Sequence, residues 1–352
     1  MGRFGCTVLL MLTGFCAARG EGVDSVGRSL LGVPVVFYGQ ETSWGFGASG
    51  GYYFGSPSGP TSSVMGMAVG TLRRQARVAV SPRVYVRGGS GLLSGRFVVS
   101  HYPDRVFGLG PRSSDVAEGY TLRSVLAHVE WQQRVLADGL MVGIQARGAA
   151  FGYAQVVDGG LVDSLANMQP GCRSVGLGLL VLFDRRDNRF WPTNGEFVKM
   201  SAMRYGRLVG SSFGATRIGV DARYFVGMQR GGVVWAGQLL VDAVVGQLPF
   251  QDLPMLGGAD VLRGYYSGRY RDQAMLCLQT ELRFNIYKRL RGVTFVSAGG
   301  VAPSLFEVSV LKWVGGAGLR LRANDAGVHL RADVAINAAG RFGFYFTAAE
   351  AF

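Results

Sequence analysis

The residue types that most often do chemistry are few in this chain, and their spacing does not assemble a catalytic site. Gly210 to Gly214 reads Gly-Ser-Ser-Phe-Gly and matches the Gly-x-Ser-x-Gly pattern of serine hydrolases. That serine needs a turn between a strand and a helix, and we expect this stretch to begin a strand instead. The three histidines, His101, His128 and His329, lack metal-ligand spacing. We therefore expect no enzyme activity, no catalytic residue, no metal and no cofactor.

A second candidate is the segment from Asp184 to Gly195, which reads DRRDNRFWPTNG. Asp184, Arg186 and Asp187 are close enough in sequence to suggest an acid–base or metal site, but nothing supplies a nucleophile. The alternative is a structural turn, in which these charges pair while Pro192 and Gly195 set the backbone angles. The structural interpretation is favoured.

A third candidate is the stretch from Pro254 to Asp272, which holds four glycines, three tyrosines and three arginines in 19 residues. Loops longer than about 12–15 residues without secondary structure of their own are usually functional or disordered. This one has Tyr and Arg side chains with which to pack. We expect an ordered loop that folds inward against the elements on either side of it.

Composition indicates the kind of secondary structure on either side of this loop. The chain has 55 glycines, 48% hydrophobic and 17% charged residues, which is not the composition of a disordered chain. After the first segment, every apolar run is broken well short of the about 18–20 residues that a membrane-spanning helix needs. The remaining class is all-β, a transmembrane antiparallel β-barrel in which lipid-facing and lumen-facing residues alternate. The third candidate would then lie against the inside of the barrel.

The alternation is clearest after this loop, where Leu278 and Leu282 alternate with Gln279, Glu281 and Arg283. The same period of two recurs at 328–337 and at 319–322. An Arg or Lys side chain at the lipid midplane costs about 2–4 kcal/mol. The polar set is therefore assigned to the lumen and the apolar set to the lipid.

Fifteen strands are recognisable between turns rich in Gly, Ser and Pro. Single-chain bacterial barrels have even strand numbers, so either one strand is missed or the segment around Val33–Tyr38 is the sixteenth, and we predict sixteen. The fifteen are Trp44–Phe54, Ser62–Leu72, Ala76–Val86, Gly91–His101, Tyr120–Val135, Leu140–Tyr153, Cys172–Phe183, Gly195–Tyr205, Phe213–Gly227, Gly232–Gly246, Gln273–Tyr287, Val293–Val301, Trp313–Ala323, Gly327–Asn337 and Phe342–Phe352.

The beginning of the chain has the pattern of an export signal. Arg3 precedes an apolar run, and small residues up to Gly20 offer a cleavage point. Cleavage there would leave Cys172 and Cys277, for which an oxidising envelope permits a disulfide without requiring one. We expect a signal peptide at 1–20, a short lead-in segment at 21–43 and the barrel at 44–352.

The charge balance is strongly basic. The formal net charge is +13, and it falls to +11 if Arg3 and Arg19 leave with the signal peptide. The basic residues are scattered singly along the strands rather than clustered on one face, unlike a nucleic-acid-binding surface. This distribution predicts a cationic lumen and loops, and no nucleic-acid partner.

Four stretches together identify a family. They are VPVVFYGQETSWGFGASGGYYF, DRRDNRFWPTNG, LPMLGGADVLRGYYSGRYRD and the final FYFTAAEAF. The chain resembles the BamA/TamA superfamily of outer-membrane barrels, the bacterial surface antigen group, over almost all of the sequence after the signal. The resemblance implies a sixteen-stranded barrel in the bacterial outer membrane, a sixth extracellular loop that runs back into the lumen, and a periplasmic turn at 184–195.

The tip of that loop, Arg263-Gly264-Tyr265, matches the Arg-Gly-aromatic tip of the family. An arginine in the lumen needs a carboxylate, because an unpaired buried charge is strongly unfavourable, and Gly264 permits a tight reversal. Glu281 is lumen-facing by the alternation and matches the acidic position of the family on the strand after the loop. We expect Arg263 to pair with Glu281. The alternative is a solvated lumen pair between Glu281 and its neighbour Arg283.

One departure concerns the next strand. Relatives carry an Asp there in a Phe-x-Asp-x-Gly pattern, and this chain has Ser297 in its place. This predicts one carboxylate for Arg263 instead of two.

The end of the sequence resembles the signal by which the barrel assembly machinery recognises outer-membrane barrels for insertion. Phe344, Phe346 and Phe352 would form it on the lipid-facing side of the last strand, and Glu350 on that face would be tolerable at the membrane interface. The expected partners are thus this machinery and the lipid bilayer of the outer membrane.

The sequence leaves two function classes open. Larger members of the superfamily carry periplasmic POTRA repeats, for which the given sequence has no room, so we expect client capture to need a separate periplasmic partner. The first class is an assembly or translocation barrel, with a loop-plugged lumen and a weakly closed seam, that acts on unfolded outer-membrane proteins. The second is a small-solute pore or a structural surface-exposed barrel. The resemblance favours the first.

Overall fold

The chain forms a closed antiparallel β-barrel of sixteen strands. The computed structural model describes residues 29–55, 60–135, 139–167, 173–228, 232–323, 328–348 and 350–352. No helix in these residues is long and apolar enough to cross a membrane. The all-β class, the barrel and the strand number predicted from the sequence are confirmed.

Each barrel strand pairs with its neighbours in chain order, except that β11 pairs with β14. The two short strands between them, β12 and β13, form a separate ribbon inside the connection. The strands are β1 Ser29–Gly39, β2 Ser43–Phe54, β3 Ser62–Thr71, β4 Ala76–Val86, β5 Gly91–Val106, β6 Glu118–Arg134, β7 Leu140–Ala154, β8 Arg173–Asp184, β9 Gly195–Tyr205, β10 Ala215–Met228, β11 Val233–Gly246, β12 Met255–Leu256, β13 Tyr270–Arg271, β14 Ala274–Tyr287, β15 Leu290–Ala302, β16 Lys312–Arg322, β17 His329–Asn337 and β18 Phe342–Ala348.

The first and last strands differ most from the sequence-based boundaries. Strand β1 covers the predicted sixteenth segment and lies inside 21–43, so the barrel begins before residue 44. It pairs along its whole length with β2. Strand β18 ends at Ala348, four residues before the predicted end. A short helix, α1 (Leu161–Asn167), lies in the connection between β7 and β8 and was not predicted.

Burial follows the predicted alternation. On β14, Leu278 and Leu282 are exposed on the outside, whereas Gln279, Glu281 and Arg283 are at most 1% exposed. On β17 and β16, Arg331, Asp333 and Arg320 are fully buried while Val334, Leu319 and Leu321 face outward. The charged interior and apolar exterior are those of a barrel whose outer face contacts lipid.

The two ends of the barrel carry different connections. One end, called here the loop rim, carries the long connections, including 107–117, 155–172 and 247–273. The other end, called here the turn rim, carries shorter turns, of which 185–194 is the longest. Every odd-numbered strand from β1 to β11 therefore runs from the turn rim to the loop rim.

A charge on the outer face tests the assignment of that face. Leu278→Arg places a guanidinium near the middle of β14, and we expect it to lower the free energy of unfolding by about 2–4 kcal/mol, against about 0–1 kcal/mol for Tyr287→Arg at the end of the strand. Urea unfolding in liposomes, followed by heat-modifiable gel mobility, measures both. Equal losses at the two positions would contradict the assignment.

Candidate functional site

The connection between β11 and β14 folds inward and is bonded to lumen-facing side chains of several strands. Its lead-in is fixed by Asp252, whose carboxylate accepts hydrogen bonds from Arg147 on β7 at 2.5 and 2.8 Å. Arg217 on β10 donates to the main-chain oxygen of Asp252 at 2.9 Å. Burial acts to raise the pKa of Asp252, but the charge and hydrogen bonds of Arg147 outweigh it and lower that pKa below its usual value. Asp252 is therefore held as a carboxylate.

The inner loop, Pro254–Asp272, continues from this anchor toward the opposite wall. The ribbon of β12 and β13 closes its base. Tyr266 O–H donates to Asp104 on β5 at 3.0 Å, and Arg331 on β17 donates to the main-chain oxygen of Ala259 at 2.9 Å. The loop is thus bonded to strands on both sides of the lumen. The third candidate of the sequence analysis is ordered and folded inward.

The tip of the inner loop is a tight reversal at Gly264, whose φ of +106° favours glycine. Gly264 N–H donates to the Tyr345 hydroxyl at 3.0 Å, and Asn337 Nδ2 donates to the Gly264 carbonyl at 2.9 Å. The Tyr345 hydroxyl in turn donates to the carbonyl of Tyr265 at 3.2 Å. The Tyr265 ring is buried against Tyr270. Strands β17 and β18 therefore hold the tip through its main chain.

The Arg263 side chain is fully buried and is bound by two carboxylates. Its Nη2 lies 2.5 Å from Glu281 Oε1, and its Nη1 lies 2.9 Å from Asp333 Oδ2. The guanidinium also lies 3.6 Å from the ring centroid of Phe295, a cation–π contact. The pairing with Glu281 was predicted. The prediction of a single carboxylate is wrong, because Asp333 supplies the second one from β17.

Asp333 reaches Arg263 because β16, the strand between β15 and β17, has no side chain beside Asp333. Its register partner on β16 is Gly318. A Cβ at Gly318 would overlap the Asp333 carboxylate and the Arg320 guanidinium. Because Gly318 has no side chain, the Asp333 carboxylate on β17 can extend to the lumen centre.

Ser297 has a different role from the acid it replaces. It lies opposite Gln279 in the β14–β15 register, and its hydroxyl donates to Gln279 Oε1 at 3.3 Å. The same oxygen accepts the main-chain N–H of Leu262 at 3.1 Å, and Gln279 Nε2 donates to the carbonyl of Asp260 at 3.0 Å. Ser297 therefore supports an amide that holds the main chain just before Arg263.

Arg263 is part of a larger ion cluster. Arg283 pairs with Glu281 at 2.9 Å, Arg320 with Asp333 at 2.5 Å and with Glu350 at 2.7 Å, and Arg331 with Asp260 at 3.1 Å. Four guanidinium groups thus face four carboxylates. Charge balance matters here, since burying an unpaired ion costs several kcal/mol. We call this set the ion cluster; its members are Arg263, Arg283, Arg320, Arg331, Asp260, Glu281, Asp333 and Glu350.

The segment Glu350–Phe352 lies inside the barrel and not on its outer face. Arg283 Nη2 donates to the main-chain oxygen of Phe352 at 3.1 Å, and the Phe352 ring is buried with Phe225 and Ala351. The expected common face with Phe344 and Phe346 is therefore wrong for Phe352. The strand ends at Ala348, and the ion pair of Glu350 with Arg320 draws the following residues into the lumen. Phe344 and Phe346 remain on the outward-pointing side of β18.

The DRRDNRFWPTNG segment forms the turn between β8 and β9, as predicted. Arg186 binds both carboxylate oxygens of Asp184 at 2.9 Å. Asp187 accepts the main-chain N–H of Thr193 at 2.9 Å and the Thr193 hydroxyl. Burial acts to raise the pKa of Asp187, but these hydrogen bonds outweigh it and lower the pKa. The acids are used as structural acceptors.

The backbone of this turn is shaped by Pro192 and Gly195, which follow a buried tryptophan. Gly195 has a φ of +103°. Trp191 is 7% exposed and packs with Val293, Phe295 and Ala335. The sequence analysis did not single out Trp191, although its buried ring attaches this turn to the barrel interior. Trp191 packs in the same cluster as Phe295, whose ring contacts Arg263.

The seam between β1 and β18 is the weakest joint of the barrel. Only one residue pair, Tyr38 and Phe346, joins these strands in the described residues. Gln40 Nε2 adds a hydrogen bond to the carbonyl of Phe342 at 2.7 Å. Toward the turn rim, the ladder is replaced by an apolar cluster that includes Val35, Phe37, Val69 and Ala348.

Other candidates do not assemble a reactive site. Residues 210–214 lie in the connection before β10 and neither begin a strand nor precede a helix. No cluster of His, Cys, Asp and Glu suited to a metal is found in the described part of the chain. Cys277 is a buried free thiol. Cys172 and the predicted signal peptide lie outside the described residues.

At the loop-rim end of the seam, Glu41 lies in the turn between β1 and β2. Burial, together with the negative charges of Asp104 and Asp260, raises the pKa of Glu41 to about 7. Its main-chain oxygen accepts a hydrogen bond from Gln75 at 3.0 Å. This turn therefore contains a carboxyl group that is neutral in mildly acidic medium.

Loss of one acid tests the ion cluster. Glu281→Gln and Asp333→Asn should each destabilise the packed inner loop by about 3–5 kcal/mol, since each leaves the buried ion cluster with one more cation than carboxylates. Asp333→Asn should have the larger effect, because Asp333 contacts two further arginines, Arg320 and Arg331, whereas Glu281 contacts one, Arg283. Trypsin cleavage within the loop, in intact proteoliposomes, measures it.

Ser297→Ala is the matched control for these variants. It removes a neutral hydrogen bond, with an expected loss of about 1 kcal/mol. Trypsin sensitivity equal to that of the parent in both acid variants would contradict the pairing of Arg263.

The pKa of Glu41 predicts a pH dependence at the seam. The folded-state pKa is raised above the ordinary value of 4.5, so the neutral carboxyl stabilises the turn fully below about 4.5 and that stabilisation is lost as pH rises through about 7. Hydrogen exchange of residues 39–43, corrected for intrinsic rates, should increase between pH 5.5 and 8.5. Glu41→Gln should remove the increase and Glu307→Gln should keep it; persistence in Glu41→Gln would refute the assignment.

Comparison with known proteins agrees with this geometry. BamA from Haemophilus ducreyi lacking POTRA domains 1–3 superposes with a TM-score of 0.62 at 16% identity, over 91% of this chain and 70% of that one. CdiB from Escherichia coli gives 0.64 at 13% identity, over 91% and 62%, and CdiB from Acinetobacter baumannii gives 0.58 at 13%, over 92% and 59%. The chain spans less than two thirds of either CdiB. No curated protein is significantly similar in sequence.

The family itself is shown by sequence. The Omp85 superfamily domain matches residues 173–352, just over half of the chain. The expected resemblance to BamA is confirmed, and the barrel type implies the bacterial outer membrane. This chain belongs to the Omp85 superfamily.

Proposed function

We propose that the barrel inserts or translocates other envelope proteins, and that its substrates engage the seam between β1 and β18 while the inner loop plugs the lumen. The observation that carries this proposal is the single ladder pair, Tyr38 and Phe346, at the seam. Every other pair of neighbouring barrel strands is joined over seven or more residues in the described part of the chain. The seam is where the barrel opens at the lowest cost in hydrogen bonds.

The ion cluster argues against passage through the lumen centre. Moving the inner loop out would separate Arg263 from both Glu281 and Asp333, which are fully desolvated. Breaking a buried ion pair by removing one partner costs about 3–5 kcal/mol. Opening the seam instead breaks one ladder pair, the hydrogen bond from Gln40 to Phe342 and apolar contacts.

The two strands of the seam are anchored unequally. Strand β18 is tied to the loop tip by Tyr345 and continues into the lumen through Glu350. Strand β1 is held by its ladder to β2 and, in the described residues, shares one ladder pair with β18. We infer that β1 moves and exposes a free strand edge, which can pair with an incoming strand of a substrate.

The substrates that fit such an edge are unfolded outer-membrane proteins, whose strand segments alternate apolar and polar residues as the strands of this chain do. Delivery to the edge would be the task of a separate periplasmic partner. The outer-membrane bilayer would receive the outward apolar face of the substrate as it leaves the seam.

Locking the seam tests the proposal. A Tyr38→Cys/Phe346→Cys chain, built with Cys172→Ser and Cys277→Ser, should on oxidation reduce the abundance of other outer-membrane barrels in cells depleted of the parent, and reduction should restore them. The control is Met200→Cys/Val220→Cys, which pairs β9 with β10 inside a continuous ladder. Unchanged abundance of the other outer-membrane barrels with the seam locked would contradict the insertase proposal.

One observation favours the alternative of a small-solute pore. Two lumen cavities of about 220 and 300 Å³ lie beside β2 to β10 and share Arg96 and Leu126. They lie outside the ion cluster. A large steady conductance in planar bilayers, combined with no change in other barrel proteins on depletion, would establish the pore in place of the insertase.

A further inference from the structure

The loop rim carries a cleft of about 580 Å³ above the tip of the inner loop. Its floor is the Gly264–Tyr266 backbone turn. One wall is the connection between β5 and β6, and the other is the hairpin between β17 and β18. Four basic side chains and one acid line it: Arg112, Arg269, Lys312, Arg341 and Asp115.

The cleft has an excess of positive charge. Asp115 pairs with Arg269 at 2.6 Å and with Arg341 at 3.8 Å. The hydrogen bond and charge of Arg269 lower the pKa of Asp115, so this acid is ionised. Arg112 and Lys312 have no ion pair within the described part of the chain. One carboxylate therefore faces four cations, unlike the ion cluster below, where the charges balance.

The central cation is held in place before any ligand arrives. Arg269 is 7% exposed and donates to the Ser113 hydroxyl at 2.8 Å. Its guanidinium lies 4.7 Å from the ring centroid of Phe107 and 4.5 Å from that of Tyr270. Lys312 Nζ lies 4.9 Å from the same Tyr270 ring. Aromatic walls with fixed cations form a preorganised site, which lowers the cost of binding.

We propose that this cleft binds a phosphate monoester carried on a sugar. A phosphate monoester has a charge of about −1.5 to −2 at neutral pH and three acceptor oxygens. Arginine forks bind such oxygens bidentately, and lysine binds them as a point charge. The excess of cations matches a dianion better than a single carboxylate, and the exposed ring of Phe342 in the cleft lining provides a surface for the sugar ring. The ligand is either the headgroup of a phosphorylated glycolipid or a soluble sugar phosphate.

The proposal is independent of the insertase function. The cleft lies at the loop rim, beyond the ladder pair of the seam, and although Gln40 and Phe342 line it and hydrogen-bond across the seam, its charged side chains belong neither to the seam nor to the ion cluster. A locked seam would leave it intact. The two proposals can therefore fail separately.

The decisive variant gains affinity and so cannot be explained by misfolding. Asp115→Asn removes the competing carboxylate, and we expect glucose 1-phosphate to bind the purified full-length barrel about fivefold more tightly in low-salt calorimetry, the effect of about one charge contact in water. Arg112→Gln, Lys312→Gln and Arg341→Gln should each weaken binding by a similar factor. Arg207→Gln is the control, because it removes an exposed charge from the same rim outside the cleft.

A competition experiment separates the two sources of phosphate. Nanodiscs containing bisphosphorylated lipid A should displace glucose 1-phosphate if the ligand is a glycolipid, and dephosphorylated lipid A should not. Binding that lipid A leaves unchanged would assign the cleft to soluble sugar phosphates. The proposal is overturned if Asp115→Asn binds no more tightly than the parent, or if the three cleft variants weaken binding no more than Arg207→Gln.

Discussion

The structure depends on the burial of one positive charge, that of Arg263. A guanidinium with no solvent exposure is tolerable only beside a carboxylate with good geometry, and Glu281 and Asp333 meet that condition from β14 and β17. The inner loop therefore has few stable intermediate positions. Displacement of the tip would leave the buried charge of Arg263 without a carboxylate, while Glu281 and Asp333 would keep Arg283 and Arg320 as partners.

The same two carboxylates also hold other parts of the chain. Glu281 binds Arg283, which donates to the main chain of Phe352, and Asp333 binds Arg320, which pairs with Glu350. The loop tip and the residues after β18 thus share their counter-charges. Because hydrogen-bonded ionic groups in a low-dielectric interior act as a network rather than as independent pairs, the position of the loop and that of the last strand are energetically coupled.

Local patterns predicted much of this arrangement from the sequence. The alternation on β14 and β17 assigned Glu281 and Asp333 to the lumen, because charge on the lipid side is too costly. The sequence could not show that Asp333, 70 residues from Arg263, would replace the acid missing at Ser297. That depends on Gly318, whose missing Cβ leaves space across β16. Phe352 was misplaced for a related reason: strand periodicity continues past Ala348, and a tertiary ion pair at Glu350 overrides it.

The distribution of polar contacts determines which joint of the barrel can open. Charged pairs are concentrated at the centre of the lumen, where desolvation makes their loss costly, whereas the seam is joined mainly by Val35, Phe37 and Ala348 and by one ladder pair. Apolar contacts are non-directional, so separating the strands at the seam breaks few directional bonds. Strand β18 is fixed to the lumen by Tyr345 and Glu350, so the proposed opening assigns the movement to β1. This distribution of contacts supports the proposal that the seam opens while the inner loop stays in place.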